Sequence, residues 1–209
     1  VTTAQVTAAA LNTVNAATTV DVTASAVTQI SGSSTDLATT YSGAGITGLG
    51  NETIIVEDLS LAAATLTPTI NGYSTTTIDA TDVTTLTGTN AEIVAAYAAD
   101  TASTVNIDGD AKLTVSDNIT HTQANTLDGY TTGVVTATIS VQTIADLDDL
   151  NTNNNAYTIT IATAQVTAAA LNIVNASTSL DVTATAVTQI TGTIACLLYT
   201  SPSPRDLRK

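Results

Sequence analysis

The chain has 209 residues, 18 acidic and 4 basic, for a formal net charge of −14. That balance excludes nucleic acid as a partner, because phosphate recognition needs clustered Lys and Arg, and it disfavours anionic membrane surfaces. Hydrophobic residues make up 44%, yet Phe, Trp and Met are absent, so the core must be built in thin layers of small and β-branched side chains.

In chain order, TAQVTAAALNTV (from Thr3) carries Ala, Leu and Val at helical spacing. VDVTA (20–24) then alternates apolar with polar residues, as a half-buried strand does. SSTDLATTY predicts a helix capped by Ser33 or Ser34, with Asp36 completing a capping-box-like start. TIIVED (53–58) and TIDAT (77–81) predict strands. TNAEIVAAYAAD predicts a helix capped by Thr89 or Asn90, with Glu92 at its positive end. KLTVSD (112–117), VVTAT (134–138), YTITIA (157–162) and LDVTA (180–184) complete the strands. No apolar run reaches about 18 residues, so no membrane insertion is expected.

The chain repeats itself. Residues 3–30 and 163–190 match at 23 of 28 positions. Between them, Val27 and Val83 open related motifs 56 residues apart, and so do Asp36 and Glu92. A period of about 56 follows, with one shortened copy. The predicted fold is an α/β solenoid, its stacked coils each carrying one short parallel strand and a short helix or loop, two coils per repeat. Stacking is required because a coil this short cannot bury its apolar face alone. Neighbouring repeats of the same chain are therefore the first expected partner. The predicted columns are Val14, Ile70, Leu127 and Val174; Val27, Val83 and Val187; and Leu37 with Ile93. The alternative is a pure β-solenoid in which the helical stretches are loops, since Thr and Val are poor helix formers.

The end of the chain has a different character. Cys196–Lys209 holds the only Cys, two of three Pro and three of four basic residues. With suitable codons it back-translates into a string that resembles sequencing-adapter read-through. It is expected to be non-native and disordered, which leaves residues 1–195 as one repeat fragment. That fragment has one cation, Lys112, against 17 anions, a net charge of −16, and no cysteine. It begins at Val1 without methionine and is read as part of a longer protein.

Few residues suggest chemistry. Asn15, Asn71, Asp128 and Asn175 share one motif slot, read as a ladder that satisfies backbone groups rather than as a ligand row. Asp108, Asp110 and Asp117 resemble part of a calcium loop, but the Gly and Glu of an EF-hand are missing. Weak, diffuse divalent-cation binding is the expected consequence of the acidity. His121 is the only histidine and is read as a capping residue. Asp148 and Asp149 form a carboxylate pair, read as a solvated helix face. Threonine at alternate positions in STTTID and VTATIS suggests an ice-binding array, against which the strand equivalents vary in sequence. No phosphate loop, nucleophile elbow or dinucleotide fingerprint is present. No catalytic, cofactor-binding or metal-ligating residue is assigned, and no cofactor is expected.

TAQVTAAALNTVNAATT, VDVTASAVTQISGSSTDLAT and GITGLGNETIIVED resemble the Thr/Ala/Asp-rich repeats of giant secreted or cell-surface strand-repeat proteins of marine bacteria and cyanobacteria. The resemblance implies extracellular or cell-surface location and an adhesive, scaffolding or coat role without catalysis. The expected function is a structural spacer or adhesin-like segment, not an enzyme. The alternative is a binding module for calcium, glycan or ice on one sheet face, with cell-surface glycans as the target.

Overall fold

The structure, a computed structural model, describes residues 1–153 and 155–193; the adapter-like tail lies outside the described residues. The elements begin with β1 (Gln5–Thr7), α1 (Ala8–Ala16), β2 (Val22–Thr23), β3 (Gln29–Gly32), α2 (Ser34–Ser42) and β4 (Ile46–Thr47). Next come β5 (Thr53–Val56), β6 (Ser60–Ala62), α3 (Ala63–Leu66), a 3-10 turn (Ile70–Gly72), β7 (Ile78–Ala80), β8 (Thr85–Gly88) and α4 (Asn90–Thr101). The chain continues through β9 (Val105–Ile107), β10 (Lys112–Ile119), α5 (His121–Asp128), β11 (Val135–Ile139) and α6 (Ile144–Leu147). It ends in β12 (Ala156–Thr158), β13 (Gln165–Thr167), α7 (Ala168–Ala176) and β14 (Gln189–Thr191). Parallel strands alternating with helices place it in the α/β class. Helices occupy the stretches that the pure-β alternative treated as loops.

Two compact units divide the chain: Val1–Asp117 with Leu127–Thr136, and Asn118–Thr126 with Ala137 onward. In the first unit one sheet runs in the order β1-β3-β5-β7-β9, every pair parallel. Gln5 pairs with Gln29 and Gln29 with Thr53, a constant step of 24 residues. That step is what a parallel ladder demands, since the chain must cross over before it pairs again. Val6, Ile30 and Ile54 share one row, and Ile30 and Ile54 are fully buried. Burying each stabilises the fold by about 2 kcal/mol. A second parallel ladder joins β6, β8 and the start of β10, with Leu61, Leu86 and Leu113 in its inner row. Leu113 N donates to Val134 O at 3.1 Å, which extends it.

In the second unit Ser140 N donates to Ile119 O at 2.7 Å. Parallel bridges join Gln142 to Ile161, Asn155 to Thr178 and Thr160 to Thr183. β13 and β14 repeat the β1–β3 register residue for residue: Gln165 with Gln189, Val166 with Ile190, Thr167 with Thr191.

The 56-residue spacing does not connect ladder neighbours. Gln29 pairs with Thr53, 24 on; β6 opens at Ser60, seven later; Ser60 pairs with Thr85, a further 25 on. An added strand and turn thus separates the two ladders and fills out the period. Of the first predicted column, Ile70, Leu127 and Val174 are buried and Val14 lies half exposed. Between β5 and α5 the order is strand, turn, strand, helix, as in β5-β6-α3 and β7-β8-α4, whereas α5-β11-α6 alternates helix with a single strand.

The helices start where hydroxyls cap them. Thr7, Ser33, Thr89, Thr143 and Thr167 each accept from a backbone N–H in the first turn of α1, α2, α4, α6 and α7. Thr89 with Glu92 forms a full capping box. Each cap contributes about 1 kcal/mol.

Candidate functional site

A second set of caps comes from across the ladder. The first helical N–H of α2, on Ser34, donates to Asp58 Oδ2 at 2.5 Å, 24 residues on. In α4, Asn90 N donates to Asp117 Oδ1 at 2.8 Å. In α5, His121 N donates to Gln142 Oε1 at 2.9 Å. In α6, Ile144 N donates to Thr163 Oγ1 at 3.2 Å. At these four helices a later segment therefore finishes the helix of an earlier one. At α1 the corresponding residue is Gly32, where a Cβ would stand 3.1 Å from Ala8 Cβ.

These bonds account for several candidates. Asp117 is a helix cap on β10, while Asp108 and Asp110 form the β9–β10 turn, Asp110 N donating to Asp108 Oδ1 at 3.4 Å. The three carboxylates do not converge: among the described residues no group of three or more His, Cys, Asp or Glu could hold a metal ion. His121 is capped rather than capping: its backbone N–H donates to Gln142 Oε1, its ring Nδ1 lies 3.2 Å from the same oxygen, and the cap of α5 is Thr120, whose Oγ1 accepts from Gln123 N at 3.2 Å. Asp148 is the C-cap of α6, and the Asp149 carbonyl accepts from Asn125 Nδ2 at 2.8 Å. Asn15 Nδ2 donates to Ala44 O at 3.5 Å and Asn71 Nδ2 to Thr104 Oγ1 at 3.3 Å, bonds of the structural kind. Asp128 closes α5, and Asn175 is exposed.

The densest polar cluster is one the sequence did not flag. Glu52 is fully buried. Its Oε2 accepts from Gly50 N at 2.8 Å and Asn51 N at 3.1 Å, and its Oε1 accepts from the Tyr41 hydroxyl. The Glu52 carbonyl accepts from Ser74 Oγ at 2.6 Å and Thr76 Oγ1 at 2.8 Å. Tyr41 stacks on Tyr73 with ring centroids 4.6 Å apart. Burial, then the hydrogen bond to Glu52 and the charge of Glu52, raise the Tyr41 hydroxyl far above its usual range. A second stack joins Tyr97 to Tyr130 at 4.8 Å, and burial, aided by the charges of Asp100 and Asp108, pushes Tyr97 up to about 12. A carboxylate that holds three donors and meets no solvent has no route to a substrate. Each ring has spent one face on its partner, which leaves less for stacking on sugar.

Among the clefts of the first unit, one of about 350 Å³ runs between α3 and α4 and is lined by Ala63, Ala64, Thr67, Pro68, Glu92 and Ala95. It opens where Pro68 follows the short helix α3. Another, of about 260 Å³, lies among Asn15, Thr18, Thr19, Asp21, Ala44 and Gly45. The rows away from the core are mixed: Thr7, Ser31, Ile55 and Asp79 in one ladder, Ala62, Thr87 and Thr114 in the other. A repeating ice-type pair is not formed along these rows.

Comparison with known proteins finds no matching family model, curated protein or solved structure. No helix among the described residues is long and apolar enough to cross a membrane.

Proposed function

We propose that this chain is a structural spacer or adhesin-like segment of a large extracellular bacterial repeat protein, without catalytic activity, and that its segments stack within each unit as coils of a solenoid. The observation that carries the reading is the constant parallel step, Gln5 to Gln29 to Thr53, repeated as Gln165 to Gln189. Polar side chains are spent on the same architecture: Asp58, Asp117, Gln142 and Thr163 cap helices across the ladder. A net charge of −14 keeps such segments hydrated and apart. The test is surface accessibility. An antibody raised against the chain should label intact producing cells or precipitate the protein from their medium. Labelling only after lysis overturns the reading.

A further inference from the structure

One motif slot holds Asn15, Asn71, Asp128 and Asn175, and the backbone around it differs from copy to copy. Asn15 and Asn175 stand in nine-residue helices, α1 and α7, and each is followed by alanine. At Asn71 that helix is interrupted. α3 stops at Leu66, Pro68 lacks the backbone donor a continuing helix needs, and the slot falls in the three-residue 3-10 turn Ile70–Gly72. No side chain caps this turn. Gly72 N donates to Thr69 O at 3.1 Å and Tyr73 N to Ile70 O at 2.9 Å, and 3-10 bonds have poorer geometry than α-helical ones. The residue after Asn71 is glycine, and this is the only Asn-Gly pair in the chain. Asn71 is half-buried and Gly72 exposed. Nothing stands within 4 Å of where a Gly72 Cβ would lie. The Asn71 amide nitrogen donates to Thr104 Oγ1 at 3.3 Å in an exposed contact.

We propose that Asn71 is a site of self-deamidation in the folded protein. Asparagine amides are thermally labile, and a following glycine offers the least hindered backbone nitrogen. The Gly72 nitrogen gives its proton to water and bonds to Asn71 Cγ; the Cγ–Nδ2 bond breaks and ammonia leaves. Water then opens the resulting succinimide at either carbonyl, which yields aspartate or isoaspartate at position 71. The turn must open for the nitrogen to reach Cγ. What opens is a pair of surface bonds, Gly72 N to Thr69 O and Asn71 Nδ2 to Thr104 Oγ1, a local event at the low end of the stability range. The aspartate product has a precedent in the fold. Asp128-Gly129-Tyr130 fills the same slot, and Tyr130 N donates to Leu127 O at 3.1 Å as Tyr73 N does to Ile70 O. Tyr130 stacks on Tyr97 as Tyr73 does on Tyr41. The isoaspartate product has no such precedent. Its extra main-chain methylene lies between Ile70, which is fully buried, and Tyr73 in its stack. The reaction thus gives one copy of the slot the chemistry that another already has. This inference rests on the Asn-Gly pair and its backbone and is independent of the proposed spacer role.

Ageing the purified full chain in neutral to mildly alkaline buffer, with circular dichroism to show that it stays folded and peptide mapping by mass spectrometry, tests it. The expected result is loss of the Asn71 amide ahead of those of Asn15 and Asn175, with ammonia released in step. Both aspartate and isoaspartate should appear at position 71. The rate should rise with pH, because the attacking nitrogen must lose its proton. Gly72→Ala should slow the loss by about tenfold, a barrier higher by about 1.4 kcal/mol. The added methyl meets open space, so this variant should keep the circular dichroism of the parent. Asn71→Asp should keep the near-ultraviolet signal of the stacked tyrosines. An Asn71 amide that persists in the folded chain, one lost no faster than those of Asn15 and Asn175, or a Gly72→Ala variant that loses it as fast as the parent overturns the proposal.

Discussion

Each unit buries a polar knot, and the two knots use opposite chemistry. In the first unit a carboxylate, Glu52, gathers the Gly50 and Asn51 amides and the Tyr41 hydroxyl. In the second, the neutral Asn155 donates from Nδ2 to the Tyr157 hydroxyl at 3.1 Å, and that hydroxyl donates to Ala124 O at 3.4 Å. The cross-ladder caps divide in the same way: Asp58 and Asp117 in the first unit, Gln142 and Thr163 in the second. The same architectural need, a satisfied backbone at the segment junction, is met with charge in one unit and without it in the other. Charged hydrogen bonds are individually stronger, but leaving one unmade costs more.

The largest expected effect breaks the contrast at the knots. Glu52→Ala leaves two amides and a hydroxyl without their acceptor and should destabilise the first unit by about 3 kcal/mol. Asn155→Ala should cost the second about 1.5 kcal/mol. Urea denaturation of both variants checks the ratio; equal losses would remove the distinction. Next come the caps. Asp58→Ala and Asp117→Ala should each cost about 1 kcal/mol, and Gln142→Ala about half of that, because only the carboxylates also meet the positive helix end. Faster amide exchange at Ser34 and Asn90 is the local signature.

A third effect appears in alkali. Tyr41 and Tyr97 bind their protons more tightly in the folded protein than in the unfolded chain. Their contribution is complete below the ordinary tyrosine value of about 10. It is lost as pH rises through the folded values, about 12 for Tyr97. The melting temperature of the first unit should therefore fall above about pH 10, and Tyr41→Phe should flatten that fall. Tyrosinate absorbance during titration reports the ionisations directly. The smallest effect lies on the acid side of the second unit. The Thr143 hydroxyl and backbone N–H lower the Asp146 carboxyl. A depressed carboxyl contributes stability above its unfolded pKa and loses it as pH falls through the folded value. In an NMR titration, Thr143→Val should move Asp146 back toward the ordinary carboxylate range.

What the sequence revealed and what it hid follow from range. The caps at Ser33 and Thr89 were legible because the hydroxyl and its N3 partner sit three residues apart. The strands at 53–56 and 112–117 were legible from alternation. The length of the ladder step was legible too, since two coils per period of about 56 imply roughly the 24 to 27 residues observed, but the partners were not. Similarity shows at spacings of 160 and, more weakly, 56, and the latter spans two ladders and the added strand between them, so the true neighbours 24 to 27 apart share a pattern but few identities. Glu52 was hidden for a related reason. It stands in a sequon-like Asn-Glu-Thr, and only the turn through Gly48 and Gly50, both at positive φ, brings it under Tyr41. Glycine tolerates that backbone where other residues are strained. The cross-ladder caps had no local signal, since the partner lies 19 to 27 residues away and changes identity from Asp to Gln to Thr.

Those caps set a clock for synthesis. As the chain leaves the ribosome, α2 can coil as soon as Ser42 is free, yet the amide of Ser34 waits for Asp58. The amide of Asn90 waits in the same way for Asp117. Growth proceeds at roughly 5–20 residues per second, so each new helix stays one bond short for a second or more. The segments of α2, α4, α5 and α6 are thus completed only by residues made later, in the direction of translation.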